Sequence, residues 1–103
     1  IDPASLIALG KKPVNVAGEL GELLRVARAS DFQITAGEDD DDRVAGVRCA
    51  VGEGELNVMN YRVMLDLAKR RSGPVVLDLR NMEHALHAAE QGLESWNSAT
   101  FTL

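Results

Sequence analysis

The residues best equipped for chemistry are Asp78, His84, His87 and Cys49. Asp78 stands late in the apolar run VVLDL (75–79), and a carboxylate at a strand end can serve as a general acid or base. His84 and His87 lie three apart, so a helix would put them on one face. With Glu83 and Glu90 beside them they have the spacing of a partial metal site, or of bases that Asp78 could orient. There is no third histidine, so zinc would need carboxylates or a second chain. A helix over 81–96 carries both histidines off its apolar stripe and toward solvent. No metal and no cofactor is therefore expected. Asp78 reads as a structural acid, able to pair with Arg80 or with a polar residue of a neighbouring strand.

The other polar clusters argue the same way. EDDDD (38–42) gathers oxygens that attract calcium, but it lacks the alternation of an EF-hand loop. It reads as a solvated hairpin tip, or as an electrostatic contact for a basic partner. GEGE (52–55) has the glycines of a phosphate loop without its lysine. It reads as a turn whose acids suit the start of the next helix. Cys49 alternates inward with Val47 and Val51 and reads as a small hydrophobe. As the only cysteine it forms no intrachain disulfide, which favours a reducing, cytoplasmic compartment. Neither a GxGxxG nor a Walker pattern occurs.

Charge and length narrow the function further. The net charge of −5 disfavours a nucleic-acid partner, which needs clustered Lys and Arg. Lys69-Arg70-Arg71 is the exception, and it suits the last turn of a helix. No apolar run approaches the roughly 18 residues of a membrane span. With 103 residues, the chain reads as one small α/β domain over 1–103, with 1–12 a short N-terminal helix and linker. It opens on Ile rather than Met, and so reads as a processed form or a piece of a larger protein.

Positioning these residues requires a definite order of elements. Asp2, Pro3 and Gly10 punctuate a first helix. VNV (14–16) reads as a strand and 18–30 as a helix, with Leu20, Leu23, Leu24 and Ala27 on one face. DFQITAG (31–37) and RVAGVRCAVG (43–52) alternate as two strands of a hairpin, with Gly46 marking a possible bulge. Residues 55–73 form a helix with Val58, Tyr61, Met64, Leu65 and Ala68 buried. PVVLDL (74–79) reads as a central strand covered on both faces. Asn81 caps a last helix whose stripe is Met82, Ala85, Leu86, Ala89, Leu93 and Trp96. SATFTL (98–103) closes as a strand. The expected fold is an α/β (α+β) two-layer sandwich. Its sheet is mixed and four- to five-stranded, with ferredoxin-like βαββαβ order in 14–79 and an added C-terminal helix and strand.

Three stretches carry partial resemblances. DFQITAG, RVAGVRCAVGEGELN (43–57) and GPVVLDLRNME (73–83) resemble a STAS domain of the anti-sigma-factor-antagonist type, which implies a signalling partner. Such domains carry a phosphorylated Ser or Thr after the last of these strands, whereas RNMEHAL (80–86) has neither. GPVVLDL (73–79) and ATFTL (99–103) resemble the core of SepF, which links a bacterial division filament to the membrane. Its acid-aromatic-x-x-Gly segment corresponds to ESWNSA (94–99), with Ser98 in the glycine place. PVNVAGELGELLRVARASDFQIT (13–35) resembles the small βαββα domains of secretins and ring-forming secretion proteins. The three imply different proteins, and no family is assigned.

The leading expectation is a non-enzymatic protein-protein interaction or assembly module that binds a protein partner or forms a homo-oligomer. Its contact residues would be Trp96, Thr100, Phe101 and Thr102, at an uncharged and uncovered chain end. One alternative is a regulatory domain that binds a small ligand or acts as a STAS-like signalling partner. The other is a small enzyme using Asp78 with His84 or His87.

Overall fold

Proline starts the first two helices. The computed structural model describes residues 1–24, 26–38, 44–67, 75–80, 82 and 84–99. Helix α1 is Pro3–Ala8 and α2 is Pro13–Leu20, each with proline in its first turn, where a missing N–H costs nothing. The expected strand at 14–16 is therefore helical. Pro13 and Ala17, four apart, are buried where α2 packs on a later helix. Gly21 ends α2 with φ of 51°, a left-handed conformation that glycine adopts freely. A 3₁₀ turn, Gly21–Leu23, follows. The helix expected over 18–30 is thus cut short by this glycine, and of its stripe only Leu24 and Ala27 are buried.

Ala27–Ala29 forms β1 and Asp31–Glu38 forms β2, with Ser30 between them. Val44–Cys49 is β3, Val58–Leu67 is α3, Val75–Leu77 is β4 and Ala85–Ser98 is α4. The fold is a small α+β domain with four α-helices among the described residues. Strand β4 runs parallel to β1, pairing Ala27 with Val75 and Ala29 with Leu77. Strand β3 runs antiparallel to β2, pairing Asp31 with Cys49 and Gln33 with Val47. The irregularity expected at Gly46 lies instead between Ile34 and Glu38. The described strands thus make two two-stranded ladders in place of one mixed sheet, and the ferredoxin-like order does not appear, since 14–16 is helical. Strands β4 and β3 flank successive parts of one extended run, 27–38. The Arg48 side chain reaches from β3 to within 3.7 Å of Asp78, just after β4.

Helix α1 packs on β2 and β3, and α2 packs on α3. The core joins Ile7, Leu24, Phe32, Leu56, Tyr61 and Leu65. Tyr61 is fully buried, and its hydroxyl donates to the Arg28 carbonyl at 3.0 Å. This satisfies its one polar atom and ties α3 to β1. Ser30 links α1 to the same run, because its hydroxyl accepts from the Ala4 N–H at 2.9 Å.

Two faces differ from their expected burial. Val76 in β4 is 45% exposed and Leu77 only half-buried, so β4 is not a strand covered on both faces. Helix α4 begins at Ala85, with His84 in the cap position, while Asn81 lies outside the described residues. It buries Ala88 and Gly92 and leaves Leu86 and Leu93 in solvent. A Cβ on Gly92 would stand 3.1 Å from Leu77 Cδ1, so only a small face lets the helix approach β4 this closely. The strand expected from Ser98 gives way to the end of α4, and residues 100–103 lie outside the described residues, as do 39–43 and 68–74.

These burials set a contrast. Leu65→Ala, inside the core, is expected to cost about 2–5 kcal/mol, and Leu86→Ala within about 0.5 kcal/mol of zero. Urea denaturation of both variants checks this. Equal losses would place Leu86 in the core.

Candidate functional site

Asp78 follows β4 directly, where the run expected to continue as strand leaves its ladder. Its side chain is 2% exposed. Arg80 holds it with Nε at 2.9 Å from both oxygens and Nη2 at 2.7 Å from Oδ2, while the Arg80 amide donates to Oδ1 at 3.0 Å. Arg28 Nη1 donates to Oδ2 at 3.0 Å. Asp2 is the second acid of the group. Its Oδ2 accepts from Arg48 Nη2 at 2.6 Å and Ser5 Oγ at 2.6 Å, and its Oδ1 accepts from Ser30 Oγ at 2.5 Å. Arg80 also reaches Asp2, at 3.2 Å. Three guanidinium groups thus share two carboxylates, and Arg48 Nη1 is buried without a hydrogen-bond acceptor.

This fixes what Asp78 can do. The Arg80 hydrogen bonds, helped by Arg28, hold its carboxyl well below the ordinary carboxylate range. Burial works to raise the Asp2 carboxyl, but bonds from Ser30, Ser5 and Arg48 outweigh it and keep that group low as well. Among the described residues Asp78 bonds to arginines and not to His84 or His87. It locks β4 to β1, β3 and α1, as the sequence reading of a structural acid paired with Arg80 anticipates.

A third acid was not singled out by the sequence. Asp31 opens β2 and is fully buried. Its Oδ1 accepts from the backbone N–H groups of Phe32 and Leu56, both at 2.8 Å, and its Oδ2 from those of Gly52 and Gly54, both at 3.0 Å. The GEGE segment is therefore a loop wrapped around a carboxylate of its own chain. Gly54 has no room for a side chain, since a Cβ would fall 2.6 Å from Asp31 Oδ1 and 2.7 Å from Cys49 Sγ. Burial pushes the Asp31 carboxyl up from its ordinary value, and the four N–H donors oppose that rise.

Beside this loop lies a cleft of about 380 Å³, lined by Val47, Arg48, Cys49, Ala50, Glu53, Met82, His84, His87 and Ala88. Side chains alternate along a strand, yet four successive residues, 47–50, line the cleft, while Asp31 and Gln33 of β2 do not. The cleft therefore follows the edge of β3 that β2 leaves unpaired. His84 and His87 are exposed at its rim, as expected for solvent-side residues, and His87 Nε2 lies 3.2 Å from Glu53 Oε1. Cys49 is part of its lining and is half-buried. Burial, then the charges of Asp31, Glu53 and Glu55, push its thiol up to about 12, which disfavours the nucleophilic thiolate near neutral pH. No group of three or more metal-ligating side chains comes together among the described residues.

Trp96 is half-buried. Its ring meets Tyr61 edge-on at 6.1 Å and lies under Arg62 at 5.3 Å. Arg62 Nη1 also donates to the carbonyls of Trp96 at 2.6 Å and Ala99 at 3.3 Å, closing the C-terminus of α4. Thr100, Phe101 and Thr102 lie outside the described residues, as do Asp39–Asp42, Lys69–Arg71 and Glu83.

No known protein family matches the chain, and no curated protein or solved structure is significantly similar to it.

The two kinds of buried acid predict different pH behaviour. The folded-state pKa of Asp78 is depressed, so its stabilisation is full above its unfolded value of about 3.9 and is lost as pH falls through the folded value. The raised Asp31 works in the opposite sense. Urea unfolding from pH 7 downward is expected to show wild type losing stability below about pH 4 and Asp78→Asn losing less over the same span. At pH 7 the variant is expected to be about 1–3 kcal/mol weaker, because a neutral amide replaces a buried carboxylate that accepts charge-assisted hydrogen bonds from Arg80 and Arg28. Parallel pH curves would remove Asp78 as the titrating group. For Cys49, alkylation by iodoacetamide at pH 8 is expected to be at least about tenfold slower in the folded than in the urea-unfolded chain, and equal rates would contradict the protonated, sheltered thiol.

Proposed function

We propose that the chain is a non-enzymatic protein-protein interaction or assembly module. The observation that carries this reading is the solvent face of α4. Leu86 is 75% exposed and Leu93 is 54% exposed. Seven residues apart, they lie on one side of the helix, about 10 Å from each other along its axis. Large apolar side chains spaced in this way suit burial against a second surface. Trp96 contributes from the flank, its ring already anchored on Tyr61 and Arg62. Thr100, Phe101 and Thr102 lie outside the described residues and belong to the proposed contact on the sequence alone. No helix among the described residues is long and apolar enough to cross a membrane. The net charge of −5 argues against a nucleic-acid partner. The single cysteine, held protonated, suits the reducing compartment this reading assumes.

The cleft supports a second reading, a regulatory domain with a small ligand, because about 380 Å³ falls at the lower end of ligand-pocket volumes. Acid–base chemistry by Asp78 with His84 or His87 finds no support in the geometry, since the Asp78 carboxylate is taken up by arginines.

Sedimentation velocity across a concentration series tests the assembly reading. Wild type is expected to associate as concentration rises, and the Leu86→Lys/Leu93→Lys double variant to stay monomeric with an unchanged circular dichroism spectrum. A wild type monomeric at every concentration would remove self-assembly from the reading. Unfolding of the double variant would return these leucines to the core.

A further inference from the structure

We propose that the cleft beside β3 binds an extended segment of a partner protein by strand addition, seating one apolar side chain among Val47, Met82 and Ala88 between flanking Lys or Arg residues. This rests on the interaction-module reading for the nature of the ligand, but it uses a different surface from the solvent face of α4.

The first support is the strand edge. Among the described residues β3 pairs with β2 alone. Strand β4 pairs with β1 and shares no ladder with β3. Natural domains blunt an open edge with Pro, outward charge or a bulge. The sequence VAGVRC has no Pro. Its one charged side chain, Arg48, is drawn away to Asp2 and Asp78. Val47 is 54% exposed beside that edge. An incoming strand would gain main-chain hydrogen bonds that a free small molecule cannot match in number.

The second support is shape. The far wall of the cleft is Met82 and the start of α4, His84, His87 and Ala88. A strand edge facing a helix makes a groove the width of one extended chain, with alternate side chains turned into it. The volume, about 380 Å³, accommodates such a segment with one apolar anchor.

The third support is charge. Loop 50–56 contains Glu53 and Glu55 and no Lys or Arg. Buried Asp31 lies beneath it. Arg48, the one arginine of the lining, is held by Asp2 and stands 3.7 Å from Asp78, which leaves Glu53 as the lining carboxylate open to a cation. A basic flank on the ligand complements it.

The test uses the full chain, isotope-labelled for amide NMR, and a capped nine-residue probe with a central Thr-Leu-Thr flanked by Lys. The expected result is saturable binding, with the largest amide shifts at Val47–Ala50, His84 and His87. Val47→Glu is expected to weaken the probe by about tenfold or more, since it sets a carboxylate against the apolar anchor. Glu53→Lys is expected to weaken it by about fivefold, the scale of one partly exposed charge pair. Both positions are exposed, and circular dichroism checks that both variants stay folded. Leu86→Lys/Leu93→Lys is expected to leave the probe's affinity unchanged. Three outcomes would overturn the proposal: no binding; shifts centred on Leu86 and Leu93, which would favour the α4 face alone; or equal binding by a backbone N-methylated probe or by leucinol, which would make the cleft a small-molecule site.

Discussion

The Asp31 carboxylate organises the middle of this protein. A buried charge without partners would be prohibitive. Here backbone N–H groups of Phe32, Gly52, Gly54 and Leu56 surround it. Three of those donors, Gly52, Gly54 and Leu56, come from a loop with no regular ladder of its own, so the acid supplies the acceptors that the loop needs to be buried. The loop in turn fixes three things at once: where β3 ends, where Glu53 stands at the cleft rim, and the direction from which the chain enters α3. Leu56, the last donor, is itself in the core. Charge satisfaction and hydrophobic burial therefore meet in one short segment.

Asp78 solves a different problem by different means. It sits just after β4, where one backbone N–H, that of Arg80, donates to it. Guanidinium groups from β1, β3 and the turn after β4 surround it. Asp2 extends the group to the start of α1. Such a cluster holds geometry more than it adds stability, because each ion gives up its own hydration to join it. The cost of that exchange is spread over long side chains, two of which keep their outer parts in water.

What the sequence disclosed follows the range of the forces involved. Helix α1 and the paired strands β2 and β3 were legible because their signals, a proline start and an alternating pattern, are local, although Ile34 and Val47, expected inward, are 43% and 54% exposed. Tyr61 and Leu65 were legible from helical spacing. Helix α2 was misread because Val14 and Val16 suggest a strand, and the burial of Pro13 and Ala17 against α3 cannot be seen from residues 13–20 alone. On α4 the large side chains suggested the core, yet the helix turns Ala88 and Gly92 inward because Leu77 and Val51 stand so near. Asp78 with Arg80 was readable at a spacing of two. Asp31 was not, because its donors lie 21 to 25 residues away in the chain, apart from that of Phe32. The remaining hint was a Gly-rich loop lacking the lysine of a phosphate site.

The pairing of Trp96 with Tyr61 and Arg62 has a practical consequence. The chain contains a single Trp, and its indole sits at the joint between α3 and α4, touched by an aromatic edge from Tyr61 and a cation from the adjacent Arg62. Its fluorescence therefore originates from one place in the fold. Swinging α4 away from α3 would remove both neighbours together and admit water to the ring, shifting emission to the red while the α1–β2–β3 half stayed intact. The protein carries its own optical gauge of helix docking, with no label to attach.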